Sequence, residues 1–368
     1  PLCKNLKLAL VGPLADAGVQ YQGCWAVAAR DNYPSLLDEM RRMDGISLKY
    51  AKGCNILEDE RLEKIVTPGN ASRWDRRPLD EMISEAVSAA RNSDVVVAAM
   101  GEAANMSGES GSRTDISLPE CQKKLLKALT GTGKPVVLVL FSGRPMTLAW
   151  ENEAMTSILQ TWFGGSEAAD AITDVLFGDV NPSGKLTMSF PFSVGQIPVY
   201  YNMKNTGRDA YSKDYRRYAS NWIDCPNEPL YPFGYGLSYT TFEYSPVALS
   251  DTVMTVNGAV KAKVTVSNTG EYDGYEVAQL YIRDVVSSET RPVKELKGFR
   301  RVFLKAGESA EIEFDITPDM LGWHSVDQYN LSGSSEPLSA RFVVEPGDFD
   351  IMIGTDSRKV GCARLTLQ

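Results

Sequence analysis

A chain of 368 residues exceeds one ordinary core and suits two or three domains, and its 43% hydrophobic and 23% charged content is that of a globular protein. A net charge of −9 would repel nucleic acid and anionic membrane over much of the surface, so a neutral polar ligand fits better. No apolar stretch of ~18 residues and no cationic, apolar leader is present, so neither membrane insertion nor an export signal within these residues is expected.

The first half alternates strand and helix. Apolar runs at 6–11, 94–100, 135–141 and 157–163 have the continuity of strands buried on both faces. Between them, residues 34–43, 79–90 and 119–129 space their apolar positions by three and four, and Pro119-Glu120 starts a helix that Gly131 or Gly133 ends. Strand, helix, strand in succession predicts a mostly parallel sheet covered on both faces. Residues 200–239 show no sustained period, but their ten aromatics, Tyr211 and Tyr215 among them, have apolar area to bury; they read as an ordered connector. From about Thr255 the period becomes two. Residues 260–267 and 310–316 alternate strictly, and further strands are expected at 275–283, 293–304, 340–345 and 349–354, separated by turns such as Asn268-Thr-Gly270 and Pro346-Gly-Asp348. An antiparallel sandwich follows. The expected division is an α/β domain over 1–205, a connector over 206–242 and a β-sandwich over 243–368.

The six cysteines are scattered without a Cys-x-x-Cys pair and His324 is the sole histidine, so neither a metal site nor a cofactor is expected. Buried single thiols are the expectation for the cysteines. Serine-histidine or cysteine-histidine catalysis would depend on His324, and no Gly-x-Ser-x-Gly elbow accompanies it. Carboxylates are the remaining acid and base. Glu109 stands in Ser107-Gly-Glu-Ser-Gly-Ser-Arg113, directly after the 94–100 run, where open α/β sheets carry their chemistry. Small residues admit a ligand, Glu109 can exchange a proton, and Arg113 can bind a polar substrate or act only as an ion-pair partner. Glu102, nearer the strand, is the alternative carboxylate. Gly164-Gly-Ser-Glu167 lacks any phosphate-loop spacing and reads as helix capping.

Several segments resemble the C-terminal half of glycoside hydrolase family 3 enzymes, nearest the bacterial periplasmic type of β-glucosidase. They are Val11-Gly-Pro-Leu-Ala-Asp16, Gly101-Glu-Ala103 with Glu109-Ser-Gly-Ser-Arg-Thr-Asp-Ile116, Ser142-Gly-Arg-Pro145, Trp162-Phe-Gly-Gly-Ser-Glu167, Leu176-Phe-Gly-Asp-Val-Asn-Pro-Ser-Gly-Lys-Leu186, Tyr231-Pro-Phe-Gly-Tyr-Gly-Leu-Ser-Tyr239 and Arg291-Pro-Val-Lys-Glu-Leu-Lys-Gly-Phe299. The resemblance implies an (α/β)6 sandwich followed by a fibronectin type III-like domain. It implies retaining hydrolysis of terminal β-linked sugars, with an aspartate nucleophile on an N-terminal (β/α)8 barrel that nothing here resembles. It places Glu109 at the acid/base position and Trp25, in Gly23-Cys-Trp-Ala26, on the sugar in the leaving-group subsite. The partners implied are a β-linked glycoside and the family's barrel domain, in a periplasmic or secreted setting, and a homodimer is compatible. A non-catalytic carbohydrate-binding or adhesion module is the competing reading. A Rossmann oxidoreductase is disfavoured because the dinucleotide fingerprint is missing.

Overall fold

The computed structural model describes residues 1–26, 33–67, 73–208, 217–326 and 340–368, so Tyr211 and Tyr215 of the expected connector lie outside the described residues. Two compact units are present, one comprising Pro1–Val180 with Phe190–Ile197 and the other Asn181–Ser189 with Pro198–Gln368.

The first unit is built on β1 (Lys7–Val11), α1 (Leu36–Arg42), β2 (Ser47–Ala51), α2 (Glu60–Val66), α3 (Leu79–Arg91), β3 (Val95–Gly101), α4 (Glu120–Thr130), β4 (Val136–Phe141), α5 (Ala149–Ala154), β5 (Ser157–Gln160) and α6 (Ala168–Phe177). The strands form one parallel sheet in the order β2-β1-β3-β4-β5. Every residue of β3 and β4 is buried, as their unbroken apolar sequences require. Alternate side chains of the sheet, Leu8, Leu10, Val97, Ala99, Val139 and Phe141, join Leu37 and Met40 of α1 and Ile172 and Leu176 of α6 in one core. The intervening residues face the other way. There α3 and α4 pack together and against β1, β2 and β3.

Three expectations are corrected locally. Strand β2 adds to the expected strands, because Ser47 and Lys49 on an edge strand break the apolar run that marks the others. Strand β5 stops at Gln160, short of the expected 163, and Trp162 beyond it takes a left-handed φ of 53°. Helix α6 starts after Gly164–Glu167, yet no side chain there caps it; the Gly165 carbonyl accepts from the Ala168 amide instead.

The second unit contains β6 (Phe242–Tyr244), β7 (Ala248–Leu249), β8 (Val253–Met254), β9 (Val260–Asn268), β10 (Gly274–Asp284), β11 (Glu295–Leu304), β12 (Ser309–Ile316), β13 (Trp323–Val326), β14 (Ala340–Val343), β15 (Gly347–Gly354) and β16 (Val360–Leu367). One sheet runs β11-β10-β15-β16-β8, a second runs β12-β9-β6 with β7 also on β9, and β13 pairs with β14. Val260, Ala262, Val264 and Val266 of β9 meet Ile312, Phe314 and Ile316 of β12 and Leu280, Ile282, Phe349 and Ile351 of the other sheet. On the wet face of β9 and β12, Lys263 pairs with Glu311 at 2.8 Å and Glu313 at 3.0 Å, and Lys261 with Asp315 at 3.0 Å. Exposed pairs of this kind are worth little each, so the apolar alternation carries the sandwich. Within the connector, Tyr201 stacks on Phe233 at 4.4 Å and Tyr231 on Tyr235 at 5.3 Å.

The exits of β3 and β4 are where the sheet is least tolerant. Gly101 has a φ of 135°, and a Cβ there would lie 1.8 Å from the Phe141 carbonyl oxygen. Backbone cannot yield as a flexible side chain would. Gly101→Ala is therefore expected to cost at least ~2 kcal/mol in urea denaturation, from an unfavourable φ and a main-chain clash together. A loss below ~0.5 kcal/mol would show that the strand exit relaxes freely.

Candidate active site

The strand order places the switch point of the sheet between β1 and β3, because the chain leaves β1 for β2 on one side and returns to β3 on the other. Open parallel sheets leave a crevice at that point, outside the carboxyl ends of the strands. The two loops flanking it carry Trp25 and Glu109.

The β1 loop is held down by apolar and polar contacts. Tyr21 is buried, stacks on Phe141 at 4.5 Å, and donates from its hydroxyl to the Leu14 carbonyl at 2.6 Å. Burial pushes its phenol well above the usual range. Gln20, also buried, accepts from the Ala104 amide at 2.8 Å and so ties this loop to the β3 loop. A second tie lies further along. Gly108 has a φ of 93°, and a Cβ on it would stand 2.3 Å from Cys24 Sγ and 3.5 Å from the indole Nε1 of Trp25. Only glycine allows that approach. Trp25 itself is 69% exposed, so it is not a core tryptophan.

The β3 loop is organised around Glu102. Its amide donates to the Phe141 carbonyl at 2.8 Å, its side chain is completely buried, and two arginines close on it. Arg113 Nη1 donates to Oε1 at 2.8 Å, and Arg144 Nε lies 3.0 Å from Oε1 and 3.3 Å from Oε2. The amide of Gly143 adds a long contact at 3.4 Å. Arg113 also donates to the Ser117 carbonyl at 3.0 Å, and Arg144 Nη2 donates to the carbonyls of Met106 and Gly111. Beneath them, buried Gln122 of α4 accepts from the Gly101 amide at 2.8 Å and donates to the Gly101 and Ile56 carbonyls at 2.9 Å. At the loop's far end the Ser117 amide, donating to Asp115, holds that carboxyl below the ordinary aspartate range.

Glu109 sits at the apex. The Gly111 amide donates to the Gly108 carbonyl at 3.1 Å, which makes Glu109 and Ser110 the corner of a β-turn. Ser110 has the positive φ, 61°, that a type II turn requires at that place. Glu109 is exposed. The structure thus gives the two candidate carboxylates opposite surroundings: Glu109 faces solvent, whereas Glu102 has no exposed atom to offer a ligand. Arg113 turns inward on Glu102 and Ser117, as an ion-pair partner of a buried and not a surface acid. Arg144, within the Ser142-Gly-Arg-Pro145 segment, is a residue of the site that the sequence does not single out. Its signal was there in principle, since β3 and β4 pair Gly101 with Phe141 and so bring Glu102 beside the residues after Phe141.

His324 lies on β13 in the second unit, edge-on to Phe342 at 5.2 Å. Of the cysteines only Cys54 and Cys121 are fully buried; Cys3, Cys24 and Cys362 are exposed and Cys225 is half-buried, against the expectation of buried thiols. Burial, with Cys121 beside it, pushes the Cys54 thiol up. Among the described residues no group of three or more histidines, cysteines or acids could hold a metal ion, and no helix is long and apolar enough to cross a membrane.

Residues 1–239 match the glycosyl hydrolase family 3 C-terminal domain, and residues 276–357 match a fibronectin type III-like domain. The chain belongs to glycosyl hydrolase family 3. The parallel α/β unit falls within the first match, and β11, β12 and β15 of the β-sandwich fall within the second. A periplasmic beta-glucosidase of Salmonella typhimurium is 46% identical over 98% of this chain and 46% of its own length. A beta-xylosidase of Formosa agariphila is 38% identical over 96% of this chain and 45% of its own. A crystal structure of beta-glucosidase from Listeria innocua in complex with isofagomine superposes with a TM-score of 0.85 at 36% identity, over all of this chain and 47% of the other. The chain spans about half the length of these relatives.

The two carboxylates should part company in stability. Glu102→Ala leaves two inward arginines without their anion and is expected to cost ~3 to 5 kcal/mol, while Glu109→Ala should stay within ~0.5 kcal/mol of the parent. Guanidinium denaturation of both variants checks this, and equal losses would contradict the assigned surroundings.

Proposed function

We propose that this chain supplies the acid/base half of the active site of a retaining exo-β-glycosidase, with terminal β-glucosyl residues as substrate. The observation that carries the reading is the exposed Glu109 at a turn apex beside exposed Trp25, over the switch point of the sheet. Glu109 would protonate the leaving oxygen in the first step and activate water in the second. Trp25 would offer its indole face to the sugar in the leaving-group subsite. Arg113 would steady the loop through Glu102 and Ser117, with sugar binding as its alternative role. Retention needs a second carboxyl ~5 to 5.5 Å across the substrate, and the family resemblance assigns that nucleophile to the barrel half, which this chain does not match. Likeness to the Salmonella protein supports a periplasmic or secreted location. Likeness to the Formosa beta-xylosidase supports xylosides as the second reading, and parallel assays of the complete enzyme on aryl β-glucoside and β-xyloside decide between the sugars.

Two expected outcomes follow from one missing partner. The 368-residue chain alone should give no turnover of an aryl β-glucoside above background, because the uncatalysed reaction is negligibly slow. Ordinary enzymatic rates from a pure preparation would sink the half-site reading. In the complete enzyme, Glu109→Ala should slow substrates with poor leaving groups by at least ~100-fold while sparing formation of the glycosyl-enzyme from activated ones. Azide needs no general base, so it should restore turnover and yield a β-glycosyl azide. If azide rescues Glu102→Ala instead and Glu109→Ala behaves like the parent, the buried carboxylate is the acid/base after all.

A further inference from the structure

The Glu109 loop contains almost nothing that could pack. Ser107, Gly108, Ser110, Gly111 and Ser112 surround the acid, so little apolar burial fixes its place, and within the turn the Gly111 amide donates to the Gly108 carbonyl. Besides the close approach of Cys24 and Trp25 to Gly108, Arg144 reaches this loop from the scaffold, and it does so on both sides of the turn. Its Nη2 donates to the carbonyls of Met106 and Gly111, which flank the turn on both sides of Glu109, while its Nε is held by Glu102. Arg113 grips the same carboxylate from further along the loop and passes the constraint to Ser117. Both guanidiniums are themselves mostly shielded, with 18% and 21% of their side chains exposed.

We propose that Glu102, Arg113 and Arg144 form a buried clamp that positions Glu109 for proton transfer, with Arg144 as the residue that fixes the turn and Glu102 as its anchor on the sheet. The proposal rests on Glu109 being the acid/base. A guanidinium is a rigid planar fork whose donors keep fixed angles to one another, so one Arg144 can hold Glu102 and two backbone carbonyls at once. A lysine keeps the charge and loses the fork. Misplacing an acid by about 1 Å costs on the order of 100-fold in the step it serves, which makes geometry and not charge the quantity to test.

Arg144→Lys is the decisive variant, with Arg113→Lys as a second that leaves the Arg144 contacts intact and guards against loss of folding. Two measurements are needed. In the 368-residue chain, hydrogen exchange at the Met106 and Gly111 amides, bonded to the Ala103 and Gly108 carbonyls, should quicken by about tenfold or more in Arg144→Lys while β3 and β4 keep the parent's protection. In the complete enzyme, Arg144→Lys should lower kcat/KM on alkyl or disaccharide β-glucosides by about 30-fold or more and on a dinitrophenyl β-glucoside by less than about threefold, with azide partly restoring turnover. Arg113→Lys should show the same pattern more weakly. Equal losses on both substrate types, or unchanged exchange in the loop, overturn the clamp. If Glu109→Ala shows the leaving-group dependence and Arg144→Lys does not, the clamp fails and the acid/base assignment stands. If neither shows it, the acid/base assignment itself has failed.

Discussion

The buried carboxylate of Glu102, pinned between Arg113 and Arg144 where β3 and β4 leave the sheet, is the interaction on which the candidate site depends. Removing a carboxylate from water is costly unless donors replace the lost solvation. Here the replacements come from two places in the chain: residue 113 beyond the turn, and residues 143 and 144 beyond the next strand, by the Gly143 amide and the Arg144 guanidinium. The two arginines are themselves committed elsewhere, Arg113 to Ser117 and Arg144 to the neck of the Glu109 turn. The carboxylate therefore does what a short apolar core would do under an ordinary loop.

The sheet makes this convergence possible. Parallel register sets Gly101 beside Phe141, so whatever follows one strand emerges next to whatever follows the other. The order β2-β1-β3 opens the crevice on the opposite flank, where the β1 loop arrives with Gln20, Tyr21, Cys24 and Trp25. Glycine at 101 and at 108 then removes the two Cβ atoms that would obstruct the approach of β4 and of the Cys24–Trp25 corner. Topology supplies the crevice, glycine the closeness, and the ion triad the rigidity.

How much of this could be read in the sequence follows from how each signal is encoded. The unbroken apolar runs of β3 and β4 and the strict alternation of β9 and β12 are local patterns, and both announce their elements and their exposure. Strand β2 is local too, but an edge position admits polar residues and hides the pattern. The opposite fates of Glu102 and Glu109 are not local at all. Both are glutamates within one stretch of small residues, and a lone acid reads as solvated by default. Only the pairing of β3 with β4 brings Arg144 to Glu102, and only the turn at Gly108–Gly111 lifts Glu109 away.

The chemistry of the clamp explains why it is ionic. A buried ion cluster is commonly no more stabilising than well-packed apolar residues of the same volume, so stability alone gives it no reason to exist. Apolar side chains could fill the space under the loop, but they could not donate to the Met106, Gly111 and Ser117 carbonyls, which would then be left partly desolvated. Donors with fixed directions are the one means of orienting a segment made of serine and glycine, and guanidinium supplies more of them per side chain than any alternative. Guanidinium shielded from water needs an anion, and at the end of β3 the residue that follows Gly101 provides it. Once a serine- and glycine-rich turn carries the exposed acid, a buried glutamate at position 102 is the consequence.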